Sequence, residues 1–267
     1  SDNGNGVCNL NPVISYGSTP FYFSSSPVWT RLASGLWTEV PAMSPPSYYG
    51  CVYDQPFLGR YDGLLLQPAK TNVCLYARDG TQPAWVKTNI TAAKDIDGID
   101  GVTNSATRLT ATANNGTIIQ NIASAAQWCS VFLRRISGTG TVSITTNNGA
   151  NWTDITSRLA VHGTNWSTGP YFQLMVLASG FGIRLGTSGD VVAMDMAQAE
   201  GNTLSQITTP IPTLGVPVTR NTVVFNYNNV QRIIPNTKNW TIGFREITLP
   251  FWNLADAGFM ENFVDAN

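Results

Sequence analysis

His162 is the only histidine in the 267 residues, so one chain cannot build a site that needs two imidazoles, the HExxH zinc hydrolases included. A Ser–His–Asp hydrolase would have to use it. However, Val161-His162-Gly163-Thr164 reads as a loop, and no GxSxG turn occurs anywhere. Glycoside hydrolysis needs two carboxylates about 5–9 Å apart. Sixteen Asp and Glu residues leave many pairs, and chain spacing selects none of them, so solvated surface charge is the simpler expectation. Asp95, Asp97 and Asp100 alternate with Gly98 and Gly101 in a pattern like part of a calcium loop, but the later bidentate Glu is missing. Asp and Gly also make tight turns, and a turn is the expectation here, with a structural Ca²⁺ as the alternative. Neither GxxxxGK[ST] nor a strand–GxGxxG–helix unit is present. No catalytic residue, metal or cofactor is assigned.

The aromatic side chains are the remaining chemistry. Flat apolar rings stack on sugar faces, and amides hydrogen-bond sugar hydroxyls. Trp85, Trp128, Trp152, Trp166 and Tyr171 fall in a strand-rich region. Trp152 and Trp166 each follow an asparagine, Asn151 and Asn165, in loop-edge positions, where binding sites concentrate. Asn147 and Asn148 stand close by. Trp152, Trp166, Asn151 and Asn165 are therefore the candidate carbohydrate-binding residues, against the commoner fate of tryptophan, which is burial in a core.

Strands must position these residues. Between 64 and 220, short apolar runs are separated by Gly, Asn and Thr, with strands expected at 116–122, 129–137, 140–146, 171–179, 182–187 and 190–197. Asn148-Gly149 tolerates positive φ at both central turn positions and predicts a hairpin. Polar and apolar residues alternate in Thr141-Val142-Ser143-Ile144-Thr145, as in a sheet with one face inward and one wet. No segment there keeps a helical period. The expected fold is all-β, a jelly-roll-like antiparallel sandwich.

Residues 1–60 are too rich in proline for helices or interior strands, yet aromatics such as Trp29, Trp37 and Tyr48 are interleaved. They predict an extended arm lying on its own domain or on a neighbouring subunit. Residues 61–220 form the sandwich. Residues 221–267 are a C-terminal extension, with strands expected at 222–227 and 240–249 and a short helix at 254–264 capped by Asn253.

Composition narrows the function classes. Only 12% of residues are charged and the net charge is -1, which opposes a nucleic-acid-binding surface. No apolar run approaches the ~18 residues of a membrane-spanning helix, and the first residues show no leader pattern. The four cysteines form no CxxC pair, and reduced, buried thiols are expected.

Two segments carry a resemblance. Gly63-Leu64-Leu65-Leu66-Gln67-Pro68-Ala69-Lys70-Thr71-Asn72-Val73-Cys74-Leu75-Tyr76, followed by Trp85-Val86-Lys87, resembles the opening of β-sandwich modules in bacteriophage tail-fibre and other virion proteins. Ala197-Gln198-Ala199-Glu200-Gly201, Ser205 to Thr209 and Val218-Thr219-Arg220 are similar to their closing segment. The lead-in from Trp29 to Asp54 is similar too. Gln67, Lys70 and Gln206 replace the usual Glu, Arg and Tyr. The resemblance implies a jelly-roll sandwich like those of carbohydrate-binding modules, in a tail fibre, tail appendage or head decoration. It implies no catalytic residues and no cofactor. The implied partners are other virion proteins and copies of the chain, often as trimers, with a host-surface glycan as a further partner. The implied location is the virion, assembled in the host cytoplasm. A carbohydrate-binding receptor module is the alternative, and a glycan-degrading tailspike a weaker one.

Overall fold

The computed structural model describes residues 26–31, 36–41, 47–48, 63–64, 69–122, 127–159, 166, 171–172, 175–177, 179–201 and 208–222. Residues 1–25 and 223–267, with most of the arm and the extension's expected strands and helix, lie outside the described residues. So do His162 and Asn165.

Two antiparallel sheets face each other. The smaller runs in the order β12 (Thr153–Asp154), β11 (Val142–Thr145), β15 (Gly180–Leu185), β9 (Gly116–Asn121), β6 (Val86–Thr88). The larger has eight strands. Its central path is β13 (Tyr171–Phe172), β10 (Gln127–Ser137), β16 (Val191–Gly201), β5 (Lys70–Asn72) and β17 (Val218–Arg220). Also in it, β14 (Met175–Leu177) pairs with β10, and β8 (Ala106–Ala111) joins β16 to β7 (Ile90–Ile96). The remaining strands form two short pairs, β1 (Val28–Arg31) with β2 (Trp37–Val40) and β3 (Ser47–Tyr48) with β4 (Gly63–Leu64). One 3-10 turn, Thr156–Arg158, is the single helical element among the described residues, and no helix there could cross a membrane. The fold is all-β, as expected, but the polar face of β11 is not wet: Ser143 and Thr145 are each 1% exposed, covered by their surroundings.

Period-two patterning builds the core. In β15, Phe181, Ile183 and Leu185 are fully buried while Gly180, Gly182 and Arg184 point the other way. From the facing sheet come Leu109, Val131, Leu133, Val192 and Met194. Trp85 closes the core edge-on to Phe181, with ring centroids 6.2 Å apart.

The expected strands recur with modest boundary changes. The stretch read as 171–179 appears as β13 and β14, both in the same register on β10 (Leu133 opposite Tyr171, Cys129 opposite Met175). Asn148 and Gly149 both take positive φ, at 55° and 85°. The loop joining β11 to β12 is longer than a two-residue turn, because the Thr145 hydroxyl draws it back by accepting from Gly149 N–H at 2.9 Å.

A second cluster lies on the outer side of the larger sheet. Trp29, Trp37, Ile99, Phe132, Trp166 and Met196 are each at most 7% exposed. The described part of the arm, the β1–β2 hairpin, therefore packs on its own domain. Trp37 N–H donates to the Ile99 carbonyl at 2.8 Å, and Asn221 N–H donates to the Ser26 hydroxyl at 2.7 Å.

Candidate functional site

The segments that carry the family resemblance meet in space, and their polar residues are spent on structure. β5 lies between β16 and β17, so Asn72 faces both Glu200 and Val218. The buried Asn72 amide uses its full capacity. Nδ2 donates to the carbonyls of Ala197 (3.1 Å) and Ile211 (2.8 Å), and Oδ1 accepts from Cys74 N–H (3.0 Å) and Ala199 N–H (2.9 Å). Glu200 is wholly buried and accepts both the N–H and the hydroxyl of Thr208, at 2.8 and 2.5 Å. Burial raises the Glu200 carboxyl above its ordinary pKa, against the pull of Thr208, Arg220 and Lys70. Burial also lowers the Arg220 guanidinium to about 10. Lys87 turns its ammonium into a cage of four carbonyls, those of Gly80, Thr81, Gln82 and Trp85, at 2.8–3.2 Å. None of these groups is offered to a ligand.

A further polar cluster anchors loop 97–105. Arg78 grips Asp100 with both guanidinium nitrogens, at 2.7 and 2.8 Å, and reaches Asp195 at 2.9 Å. A bulge at Met196, φ 47°, turns Asp195 to meet it. Burial pushes Asp195 up, while Asp100, despite partial burial, is held below the usual carboxylate range by Arg78. The three aspartates diverge: Asp100 binds Arg78, Asp95, still in β7, pairs with Arg108, and the Asp97 carbonyl accepts from Trp166. Gly98 and Gly101 close the turn, with Gly101 at φ 75°. Among the described residues no three potential metal ligands come together. Cys74 and Cys129 are buried thiols, and burial, reinforced by Cys129, pushes Cys74 well above the ordinary thiol range.

Trp152 and Trp166 stand in different places. Trp166 is 2% exposed, with Arg134 stacked 4.7 Å over its ring and its indole N–H donating to the Asp97 carbonyl at 2.5 Å. It belongs to the covered face of the larger sheet. Trp152 is half-buried on the outer face of the smaller sheet, under the Arg184 guanidinium at 4.8 Å. Asn151 is exposed beside it, its N–H held by Asn147 Oδ1 at 2.8 Å. The structure thus brings Asn151, Asn147 and Asn148 to Trp152 but separates Trp166 from them.

Strand register defines that outer face. Ile119 and Val86 are directly opposed on β9 and β6, and Val86 is 63% exposed. Ile119 and the Trp152 ring flank Gly149 closely: a Cβ added there would lie 3.3 Å from Ile119 Cδ1 and 3.4 Å from the ring. Trp152, Gly149, Ile119 and Val86 thus form an apolar strip across the sheet. A polar row borders it on one side: Arg184 opposite Thr117, and Thr117 opposite Thr88. On the other side Asn148 Nδ2 donates to Asn121 Oδ1 (3.5 Å) and to the Ser179 carbonyl (3.2 Å). Arg184, Ile119 and Val86 were not singled out from the sequence. The signal was the outward phase of Gly-Phe-Gly-Ile-Arg-Leu at 180–185.

No protein-family model matches the chain, and no curated protein does. Solved structures with a partial likeness to the chain include two of low similarity. One is the enzymatically active domain of tailspike protein 4 of bacteriophage CBA120, 11% identical, with a TM-score of 0.32 over 48% of this chain and 21% of that one. The other is the C-terminal CBM6 of LamC, a marine laminarinase from Zobellia galactanivorans, 8% identical, with a TM-score of 0.27 over 48% of this chain and 98% of that one. The chain thus spans about a fifth of the tailspike chain's length.

Proposed function

We propose that this chain is a non-enzymatic module of a phage virion that presents the outer face of its five-stranded sheet, where Val86 and Thr88 are exposed, to a surface glycan. The observation that carries the reading is the asymmetry of the sandwich. The outer face of the larger sheet is occupied by the chain's own hairpin, Trp166 and loop 97–105. The outer face of the smaller sheet keeps an apolar strip bordered by hydroxyl, amide and guanidinium groups, which is the chemistry of a saccharide platform. The motif resemblance supports a virion setting, with other virion proteins and copies of the chain as partners. The arm and the C-terminal extension are the segments for those contacts.

A glycan array probed with the purified chain tests the binding role. Retention of a defined set of glycans, weakened about tenfold or more by Trp152→Ala, is expected. Silence across the array, or equal retention by the variant, contradicts it. Mass spectrometry of purified particles tests the setting, with the chain expected at a fixed copy number.

A further inference from the structure

Arg184 is a cation on the outer face of the smaller sheet, whereas the Lys87 ammonium is turned into its carbonyl cage. Its guanidinium carbon sits over the Trp152 ring, 4.8 Å from the centroid, and it takes part in none of the ion pairs among the described residues. Its acidic neighbour in the sheet is Asp154, two strands away with Ser143 between, where the Arg184 charge helps hold the Asp154 carboxyl down without a direct ion pair. Asp154 Oδ1 is already engaged by the N–H and hydroxyl of Thr156 at 2.8 and 2.6 Å. A stacked guanidinium keeps its planar fork of donors, pre-organised and weakly hydrated, for a bidentate acceptor.

We propose that this outer face recognises an anionic saccharide, a carboxylate- or sulfate-bearing sugar whose acid group is held by Arg184. The inference rests on the saccharide-binding reading of the same face. Arg184 covers one face of Trp152, so a sugar arriving there meets the guanidinium rather than bare indole. The sugar's apolar side then lies on Ile119 and Val86, opposed on adjacent strands. Thr117 and Thr88 continue the row from Arg184 and supply hydroxyls along the saccharide. The acid group therefore fixes register along the face, and the strip supplies contact area.

Calorimetric titration with matched pairs tests this. The probes are oligogalacturonate, a glucuronate-containing oligosaccharide, a sialylated oligosaccharide and a sulfated galactan oligomer. Each is paired with its methyl-esterified or desulfated form. The parent should bind at least one charged member about tenfold or more tighter than its uncharged partner. The preference should shrink with added salt and vanish in Arg184→Gln. Whether the carboxylates or the sulfate bind identifies the acid group. Equal binding of charged and uncharged members overturns the anionic inference and leaves the saccharide reading standing. No binding to any member overturns both. Retained preference in a folded Arg184→Gln protein overturns the role of Arg184.

Discussion

The Trp37 ring packs edge-on against Phe132, with centroids 5.4 Å apart and planes at 73°. Trp37 comes from the hairpin and Phe132 from the middle of β10, so this contact covers the outer face of the larger sheet with the chain's own arm. Burying a ring of this size removes a large apolar surface from water, and truncating it leaves a cavity. The covered face is thereby committed to folding, and the proposed binding role falls to the smaller sheet.

Trp37→Ala should cost about 3 kcal/mol of hairpin docking. Hydrogen exchange reads this at the Trp37 amide, which donates to the Ile99 carbonyl. Faster exchange there, with saccharide affinity within about twofold of the parent, is the expected outcome. Unchanged exchange would show that the hairpin is not held by this ring.

Asn72 is the residue that joins the opening and closing segments. Asn72→Ala leaves the Cys74 and Ala199 amides and the Ala197 and Ile211 carbonyls without their buried partner. A loss of about 3 kcal/mol or more is expected in urea unfolding. Thr71→Ala, which removes only the exposed contact to Thr219, should stay within about 0.5–1 kcal/mol.

Asp100 gives the chain an acid-side stability change. Burial raises its pKa, but the hydrogen bonds and charge of Arg78 outweigh this and hold the folded carboxyl below its ordinary value. The folded state therefore binds fewer protons than the unfolded chain in that interval. The stabilisation is full above the ordinary carboxylate pKa and is lost as pH falls through the folded one. Asp100→Asn should cost about 2 kcal/mol near neutrality, and the difference from the parent should close below about pH 3.8. A gap that persists at low pH would mean that the Asp100 charge contributes nothing.

The strands and the sandwich were legible in the sequence because large apolar side chains recur at every second position in segments such as 180–185 and 142–145. The link between residues 63–76 and 197–220 was legible as a resemblance, though not its reason, which is that β5 is clamped between β16 and β17. β7 and β8 were missed because Thr91-Ala92-Ala93-Lys94-Asp95 has almost no apolar contrast. Trp152 and Trp166 looked equivalent, each following an asparagine. What separates them is which sheet each covers, and that depends on long-range pairing. The Arg184–Trp152 stack joins β15 to the loop before β12, a relation no local spacing reveals.

The tryptophan side chains offer the most direct test of the proposed binding face. Trp29, Trp37, Trp85 and Trp166 are at most 7% exposed, whereas Trp152 lies half-buried on the outer face of the smaller sheet. Titrating the isotope-labelled chain with its best array glycan, while following the indole N–H resonances, separates the two faces. A progressive, saturable shift of the Trp152 resonance, with these four buried indoles unmoved, is predicted. A shift led by Trp29, Trp37 or Trp166, or saturation without movement of Trp152, would contradict a binding role for the five-stranded sheet.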